Sequence, residues 1–296
     1  MNKLASVIIL TYKNFENIKK NIESILQQDY KHIEILISDD GSENFDREYI
    51  EELLKKKKEN IISTKIIKHN QNQGIVKNLN NAIKESKGQY IIPLSQDDCF
   101  YSRSSITYIA ERLDKNLIVS GLRVIKENGK EVQFPTVKEV EAYKKSENKY
   151  EYMLLKNNIF SGASTYYNKK IFYINGYFDE KCTLVEDFPY YLKFLRSGGK
   201  IEILEKKIIY YGKDGISSSN EKNKKFYLDF FKIYRDESIY NKGYLKRYLM
   251  FLAENNLNRY NKKFYKIKKE MIKLKYIDIY IKIRLKKIKR RFNEKI

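Results

Sequence analysis

The stretch QYIIPLSQDD, residues 89–98, is an apolar run that ends in two adjacent carboxylates. Such a run is typical of a β-strand that is buried on both faces. Asp97 and Asp98 follow at the point where the chain should leave the sheet, and two neighbouring carboxylates repel each other. The sequence therefore predicts a strand whose end concentrates negative charge where solvent begins.

Three further segments resemble strands, and helical patterns separate them. The strand-like segments are Leu4–Tyr12, Ile33–Asp40 and Thr64–His69. Apolar residues recur at helical spacing between Phe15 and Leu26 and again between Ile75 and Ile83. This βαβαβαβ order predicts a parallel sheet that is covered by helices on both sides, with ligands beyond the carboxyl ends of the strands.

Polar residues follow the strands at those carboxyl ends. They are Thr11 and Tyr12 after the first strand, Asp39 and Asp40 after the second, and Asp97 and Asp98 after the fourth. No glycine-rich phosphate loop follows the first strand, which disfavours the dehydrogenase and P-loop types of site. A divalent cation on a carboxylate is the other common way to hold a diphosphate, although a solvated turn or a helix N-cap would also explain one Asp-Asp pair.

The composition is that of a folded chain in a reducing compartment. Of 296 residues, 42% are hydrophobic, so a substantial core is expected. The apolar run Val7–Leu10 is too short for a signal peptide and no run is long enough to span a membrane, which predicts a cytoplasmic protein. Cys99 and Cys182 lack metal-site spacing and are expected to be unpaired thiols.

The net charge of +21 lies mostly at the C-terminal end. From Lys242 onward there are 19 basic and 4 acidic residues. The segment YIDIYIKIRLKKIKRRF, residues 276–292, predicts a basic amphipathic helix that lies on an anionic membrane. Its apolar stripe consists of Tyr276, Ile279, Tyr280, Ile283 and Ile288. Packing on the preceding domain is the alternative, whereas nucleic-acid binding is disfavoured because the aromatic rings lie away from the charges.

Several motifs together resemble the inverting GT-A glycosyltransferases of family 2. They are VIILTYKN, ISDDGS, NQNQGIVKNLNNAI, KGQYIIPLSQDD and LVEDFPYYLKFLRSGGKI, which occur in this order. The resemblance extends from about Lys3 to Ser219. The sequence departs from the family pattern at Leu10, Lys13 and Ser95, and YYGKDGISSS (residues 210–219) lacks a histidine, for which Lys213 or the serine cluster could substitute.

The resemblance implies an α/β fold, namely a GT-A Rossmann-like mixed sheet flanked by helices, with a C-terminal helical extension. Residues 1–219 would form the catalytic domain. Within it, residues 1–98 would bind the nucleotide sugar and residues 99–219 would form the acceptor and catalytic half. Residues 220–296 would form a basic helical region.

The resemblance also implies roles for individual residues. Thr11, Tyr12, Asp39, Asp40 and Lys77 would bind the nucleotide, with the Tyr12 ring on the base. Asp97 would bind the ribose and Asp98 would bind Mn²⁺ or Mg²⁺. Asp187 would be the general base, assisted by Glu186, although acidic residues also favour the first turn of any helix.

These features predict a metal-dependent inverting hexosyltransferase. It would transfer a hexose or N-acetylhexosamine from a UDP-sugar to a surface polysaccharide, lipooligosaccharide or lipid-linked glycan at the inner face of the plasma membrane. A catalytically silent sugar-nucleotide binding module, a nucleotidyltransferase and a basic nucleic-acid-binding protein are the alternatives. None of the three explains all of the motifs.

Overall fold

The computed structural model describes residues 3–156, 158–212, 224–261 and 265–293, with side chains as far as residue 285. The chain divides into two compact units. The first carries the residues to which the resemblance assigns catalysis, is called the catalytic unit for that reason, and comprises Met1–Glu180 and Glu186–Ser219. The second, the C-terminal unit, comprises Lys181–Val185 and Asn220–Ile296.

The catalytic unit contains a mixed sheet, and the described residues contribute nine strands to it. Its order is β3-β2-β1-β4-β8-β6-β9-β5, and β7 pairs with β6. The strands are β1 (Ala5–Thr11), β2 (Ile33–Asp39), β3 (Ile61–Lys68), β4 (Tyr90–Ser95), β5 (Cys99–Phe100), β6 (Ile118–Glu127), β7 (Lys130–Phe134), β8 (Thr165–Asn168) and β9 (Ile201–Tyr210). The first four run parallel to one another, and β8 pairs with both β4 and β6 in antiparallel fashion.

Helices flank the sheet of this unit. They are α1 (Ile18–Leu26), α2 (Arg47–Lys55), α3 (Ile75–Glu85), α4 (Ser105–Leu113), α5 (Val137–Lys145), α6 (Lys149–Lys156), α7 (Lys170–Ile174) and α8 (Asp187–Arg196). A short 3-10 turn, Gly162–Ser164, precedes β8. This mixed α/β architecture confirms the fold class expected from the sequence.

The core explains why the apolar runs form central strands. Val7, Ile35 and Ile92 lie at matching positions of β1, β2 and β4 and are fully buried. They belong to one hydrophobic cluster with Ile22 of α1, so helices cover the sheet where the strands are most apolar. The carboxyl ends of these strands are therefore held at one edge by a rigid core.

The predicted ends of β1 and β2 agree with the observed ones within one residue, whereas β4 and β3 each differ at one end by three. Strand β4 ends at Ser95, three residues before Asp98. Strand β3 starts at Ile61, three residues before the predicted Thr64. It lies at the edge of the sheet, and its burial alternates irregularly. Its sequence therefore lacks the continuous apolar run that marks the central strands.

The C-terminal unit is helical. Its helices are α9 (Lys224–Ile239), α10 (Gly243–Asn261), α11 (Tyr265–Lys275) and α12 (Ile277–Asn293). Asp229 of α9 is fully buried and accepts hydrogen bonds from the backbone N–H groups of Thr183, Leu184 and Val185. None of the described helices combines the length and the apolar character needed to cross a bilayer.

The apolar stripe that the sequence assigns to a membrane is partly inside this unit. Tyr276 and Ile279 are buried with Ile272, in a cluster against which Phe251 of α10 and Ile283 pack. The prediction that this stripe contacts lipid is therefore wrong for Tyr276 and Ile279, because protein already covers them.

Candidate functional site

The ends of β1 and β2 are joined by a network around Asp39. Thr11 pairs with Asp39 in the sheet register, and its hydroxyl donates to Asp39 Oδ1 at 3.0 Å. Ser42 donates its backbone N–H to Asp39 Oδ2 at 2.8 Å and its hydroxyl to Oδ1 at 2.7 Å. Thr11 and Asp39 are both buried, so this carboxylate shapes the loop that follows β2.

Asp40 connects the same loop to the start of α3. Its two carboxylate oxygens accept the backbone N–H groups of Gln73 and Gly74 at 2.8 and 2.9 Å. Gly41 has φ +78°, and a Cβ there would lie 2.5 Å from the carbonyl carbon of Gln71. Glycine is required at this close approach. The DDGS motif therefore places the strand end against the N-terminus of α3, where the helix dipole favours negative charge.

Tyr12 and Lys77, to which the resemblance also assigns nucleotide binding, lie near this loop. Tyr12 is 39% exposed, and its backbone N–H is bound by the side chain of Gln96, which ties β1 to the segment after β4. The Lys13 ammonium lies 5.1 Å from the centre of the Tyr12 ring, and the exposed part of the ring is available for stacking. Lys77 lies on the first turn of α3 with an exposed side chain.

Asn21 of α1 fixes the turn that carries Asp97 and Asp98. Its amide group donates to the backbone oxygens of Ser95 and Asp98 at 2.8 and 2.7 Å, and its side chain is fully buried. Sequence analysis missed this residue. The available signal was an Asn within the apolar stripe of an amphipathic helix, since a buried amide requires partners.

Asp98 is fully buried and only partly satisfied. Its Oδ1 accepts the backbone N–H of Gly212 at 2.8 Å, whereas Oδ2 has no hydrogen-bond partner among the described residues. Burial and, secondarily, the negative charge of Asp97 raise the pKa of Asp98 well above its ordinary value. The N–H of Gly212 and the charge of Arg123 lower it in part.

Such an arrangement fits a divalent cation. Mg²⁺ and Mn²⁺ take one or two carboxylate ligands and fill the remaining positions with phosphate oxygens and water, so Asp98 Oδ2 beside Asp97 is a suitable donor set. Within the described part of the chain, no group of three or more His, Cys, Asp or Glu side chains clusters to form a complete cage. The residues therefore fit a metal that is shared with a phosphate ligand.

Arg123 of β6 is a second functional candidate that sequence analysis missed. Its guanidinium lies 4.2 Å from the ring centre of Tyr211 and 4.9 Å from that of Phe134. Its Nε is buried and has no hydrogen-bond partner among the described residues. The two rings fix a positive charge whose field reaches Asp98. No local motif marks this residue, because β6 and β4 are not adjacent in the sequence.

Asp187 is the first residue of α8 and is held by three donors. Oδ2 accepts from the Asn158 amide and from the Gly162 backbone N–H, both at 3.0 Å, and Oδ1 accepts from the Phe188 N–H at 2.6 Å. Burial nevertheless raises the pKa of Asp187 above its ordinary value, which the three donors offset in part. A raised pKa suits a carboxylate that must take a proton near neutral pH.

Glu186 lies beside the same turn and lines a small cavity. A Cβ on Gly162 would be 3.3 Å from Asp187 Oδ2 and 3.5 Å from Glu186 Oε1, so both acids approach one glycine. The cavity is also lined by Leu10 and Ser95, at the ends of β1 and β4. The structure therefore brings the Glu-Asp pair to the same edge of the sheet as the strand-end residues.

Two consecutive tyrosines of β8 each lie within reach of the charge of one of these acids. The charge of Asp98 contributes to the raised pKa of Tyr166, and that of Asp187 contributes to the raised pKa of Tyr167, although burial is the main cause for both. Tyr166 and Tyr167 are consecutive and therefore point to opposite faces of the sheet.

Lys213 and the serine cluster at 217–219 lie outside the described residues.

Comparison with known families gives a match over the first part of the chain. Residues 6–175 match the model of the family described as "Glycosyl transferase family 2". An uncharacterized glycosyltransferase of Rickettsia typhi is 29% identical over 201 residues, which cover 65% of this chain and 59% of that protein. An Escherichia coli protein, "UDP-Glc:alpha-D-GlcNAc-diphosphoundecaprenol beta-1,3-glucosyltransferase WfaP", is 38% identical over 96 residues, 32% of this chain and 36% of that one. The chain spans about three-fifths or less of the length of these two relatives and of others from Rickettsia.

Solved structures share the fold. Staphylococcus aureus TarS 1–349 in complex with UDP-GlcNAc aligns with TM-score 0.61 and 18% identity, covering 86% of this chain and 72% of that one. The mannosyltransferase PcManGT of Pyrobaculum calidifontis, in complex with GDP-Man and Mn²⁺, aligns with TM-score 0.60 and 13% identity, covering 87% and 74%. At these identities the likeness shows the architecture alone.

Proposed function

Because the chain belongs to glycosyltransferase family 2, we propose that it is an inverting hexosyltransferase that uses a UDP-sugar as donor. It would transfer a hexose or N-acetylhexosamine to a hydroxyl group of a surface polysaccharide, lipooligosaccharide or lipid-linked glycan. The main support is the state of two acids: Asp98 Oδ2 is buried without a hydrogen-bond partner among the described residues, and Asp187 is held by three donors. Residues 1–98 would bind the donor, residues 99–219 would bind the acceptor, and residues 220–296 would form a separate helical region.

The donor half supplies contacts for a nucleotide. The exposed ring of Tyr12 offers a stacking surface for the base, and Lys77 offers a cation nearby. Each carboxylate oxygen has about two lone pairs, so Asp39 and Asp40 retain acceptor capacity after their internal hydrogen bonds. They would accept hydrogen bonds from base and ribose, and their internal hydrogen bonds fix the orientation of both carboxylates.

The diphosphate would be held by Mn²⁺ or Mg²⁺ on Asp98, with Asp97 at the ribose. When bound, such a cation supplies Lewis-acid stabilisation of the negative charge on the leaving diphosphate. The uncompensated Oδ2 of Asp98 supports this role, because a buried carboxylate oxygen without a partner is costly in the absence of a ligand. Arg123 would add a fixed positive charge on the same side.

Asp187 would remove the proton from the acceptor hydroxyl. A base on the face opposite the leaving group gives direct displacement and therefore inversion at the anomeric carbon. The donors from Asn158 and Gly162 fix the orientation of this carboxylate, and its raised pKa improves its match to neutral pH. Glu186, which lines the cavity, would assist or replace it.

The enzyme would bind its acceptor at the inner face of the plasma membrane. The E. coli relative is named for a GlcNAc-diphosphoundecaprenol acceptor, and undecaprenol is a lipid. The basic C-terminal helices would associate peripherally with anionic lipid, while the catalytic unit remains in the cytoplasm.

A thermal-shift screen of UDP-sugars with Mn²⁺ tests the donor assignment. One UDP-sugar should raise the unfolding temperature, and the product formed with it should show inverted anomeric configuration by NMR. Retention of configuration would contradict the single-base mechanism. Tight donor binding without transfer to any glycan acceptor would identify a catalytically silent binding module instead.

A further inference from the structure

Helices α11 and α12 carry apolar residues on two opposite faces. One face packs on α10 through the cluster of Ile272, Tyr276 and Ile279. Polar contacts reinforce that packing, because Arg247 pairs with Asp278 at 2.9 Å and the Tyr276 hydroxyl donates to Glu254 at 2.8 Å. The orientation of both helices within the C-terminal unit is therefore fixed.

The other face is apolar and exposed, which is unusual for a soluble helix. Six large aliphatic side chains there are at least half exposed, and each follows the previous one by three or four residues. We call them the outer stripe: Ile267, Met271, Leu274, Ile277, Ile281 and Leu285. A contiguous exposed apolar patch of this kind marks an interaction surface.

Basic side chains border the outer stripe. The described side chains of residues 265–285 include seven that are basic and two that are acidic. Both acids are paired, Glu270 with Lys273 and Asp278 with Arg247. Exposed lysines such as Lys266, Lys268 and Lys282 therefore give the surface around the stripe a positive charge.

We propose that the outer stripe inserts into the headgroup region of an anionic lipid bilayer. Aliphatic residues on one face and lysines at its edges are the composition of an interfacial helix, in which acyl chains receive the stripe and anionic headgroups receive the charges. The inference deepens the membrane association proposed above by assigning it to a different face from the one that the sequence suggested. Its test requires neither donor nor acceptor.

Charge and chemistry disfavour other occupants. A second copy of the chain would bring two lysine borders together, and like charges repel. Single-stranded nucleic acid would require aromatic rings for base stacking, whereas all six side chains of the outer stripe are aliphatic.

Vesicle sedimentation of the full chain provides the test. The protein should sediment with vesicles of phosphatidylglycerol and phosphatidylcholine and much less with phosphatidylcholine alone. The triple variant Met271→Asn/Leu274→Asn/Ile281→Asn should lose at least about tenfold in partition coefficient, because three large aliphatic contacts are removed. The substituted residues are exposed, so the affinity for UDP should not change, and any fall in unfolding temperature should be limited to the lower helix propensity of Asn.

A matched control removes equally exposed apolar residues from the catalytic unit. Ile62→Asn/Val137→Asn/Ile174→Asn should sediment with anionic vesicles as the unmodified protein does. The charge variant Lys266→Gln/Lys268→Gln should bind anionic vesicles less tightly and with a weaker dependence on salt.

Three results would overturn the proposal. The first is failure of the unmodified protein to bind anionic vesicles, and the second is equal binding by the outer-stripe variant and its control. The third is self-association or RNA binding, in sedimentation velocity or filter binding without lipid, that the outer-stripe variant abolishes. UDP affinity is measured separately, so a failed membrane assignment is distinguishable from a failed enzymatic one.

Discussion

Replacing Asp98 by Asn should stabilise the ligand-free protein while it weakens the binding of metal and nucleotide. The unmodified carboxylate is fully buried, and one of its oxygens has no hydrogen-bond partner among the described residues. An Asn side chain keeps the oxygen that accepts the Gly212 N–H and removes the negative charge that Asp97 repels. A site built for a cation is expected to show this conflict between stability and binding.

The size of the effect follows from the contacts. An unsatisfied buried polar group costs about 1–3 kcal/mol, and the Asn amide recovers only part of this because its N–H₂ also needs acceptors. A net gain of about 1 kcal/mol would raise the unfolding temperature in EDTA by about 2–4 °C for a unit of this size. Saturating metal and UDP, at about 100 times the dissociation constant, should stabilise the unmodified protein by about 2.7 kcal/mol and the variant by much less.

The pH dependence of this difference has a definite sign. Because the pKa of Asp98 is raised in the folded state, the folded protein binds a proton more readily than the unfolded chain. The stability of the unmodified protein therefore falls as pH rises from the ordinary pKa of 3.8 through the raised value. The amide of the Asp98→Asn variant does not titrate, so the advantage of the variant in EDTA should grow as pH rises through that window.

Differential scanning calorimetry of both proteins, in EDTA and in Mn²⁺ with UDP, provides the measurement. The order of unfolding temperatures should reverse between the two conditions. Asp97→Asn serves as the control and should change both values less, since Asp97 is only partly buried. Two results would refute this role for Asp98. One is a lower unfolding temperature of the variant than of the unmodified protein in EDTA, and the other is an equal rise in unfolding temperature of both proteins with Mn²⁺ and UDP.

Further variants test the remaining parts of the site. Isothermal titration of UDP should show binding with Mn²⁺ and almost none in EDTA, whereas equal affinity would remove the need for a metal. Asp187→Asn should lower the transfer rate by roughly a hundred- to ten-thousandfold at unchanged UDP affinity, and Glu186→Gln should lower it less; the reverse order would move the base to Glu186. The rate of the unmodified enzyme should rise with pH through the raised pKa of Asp187, since only the ionised carboxylate can accept a proton. Arg123→Gln should weaken UDP binding in calorimetry more than uridine binding, and equal losses would assign Arg123 a structural role.

The sequence predicts the central part of the fold well for a physical reason. Strands β1, β2 and β4 are buried on both faces, so their apolar runs are continuous and unambiguous. Strand β8 has only four residues, TYYN, and pairs with β4 and β6 through contacts distant in the sequence. No local pattern of apolar residues indicates such a strand. This part of the sheet therefore cannot be predicted from apolar runs as β1, β2 and β4 can.

The helical spacing of apolar residues predicts less about packing in the C-terminal helices. It correctly indicates amphipathic helices, but it cannot say which of two apolar stripes packs on protein. Ile279 and Ile281 are only two residues apart, yet the first is fully buried and the second is half exposed. Only the packing of α11 and α12 on α10 separates the two stripes. Truncation after Asn241 would remove α10, which packs against α9, so substitutions in the outer stripe are a more informative test.

The acids at the sheet edge differ in how many hydrogen bonds their carboxylate oxygens accept from neighbouring residues. Asp39 accepts from a hydroxyl group of Thr11 and from two groups of Ser42, and Asp40 accepts two backbone N–H groups at the start of α3. Asp98 accepts one N–H and leaves a buried oxygen without a partner among the described residues. Such an oxygen costs free energy in the ligand-free protein, and a cation shared with a diphosphate would offset that cost in the ligand-bound state. The two Asp-Asp pairs therefore look alike in sequence but differ chemically. Asp39 and Asp40 hold the loop after β2 and would share only their remaining lone pairs with a nucleotide, whereas Asp98 keeps one buried oxygen that no described residue satisfies.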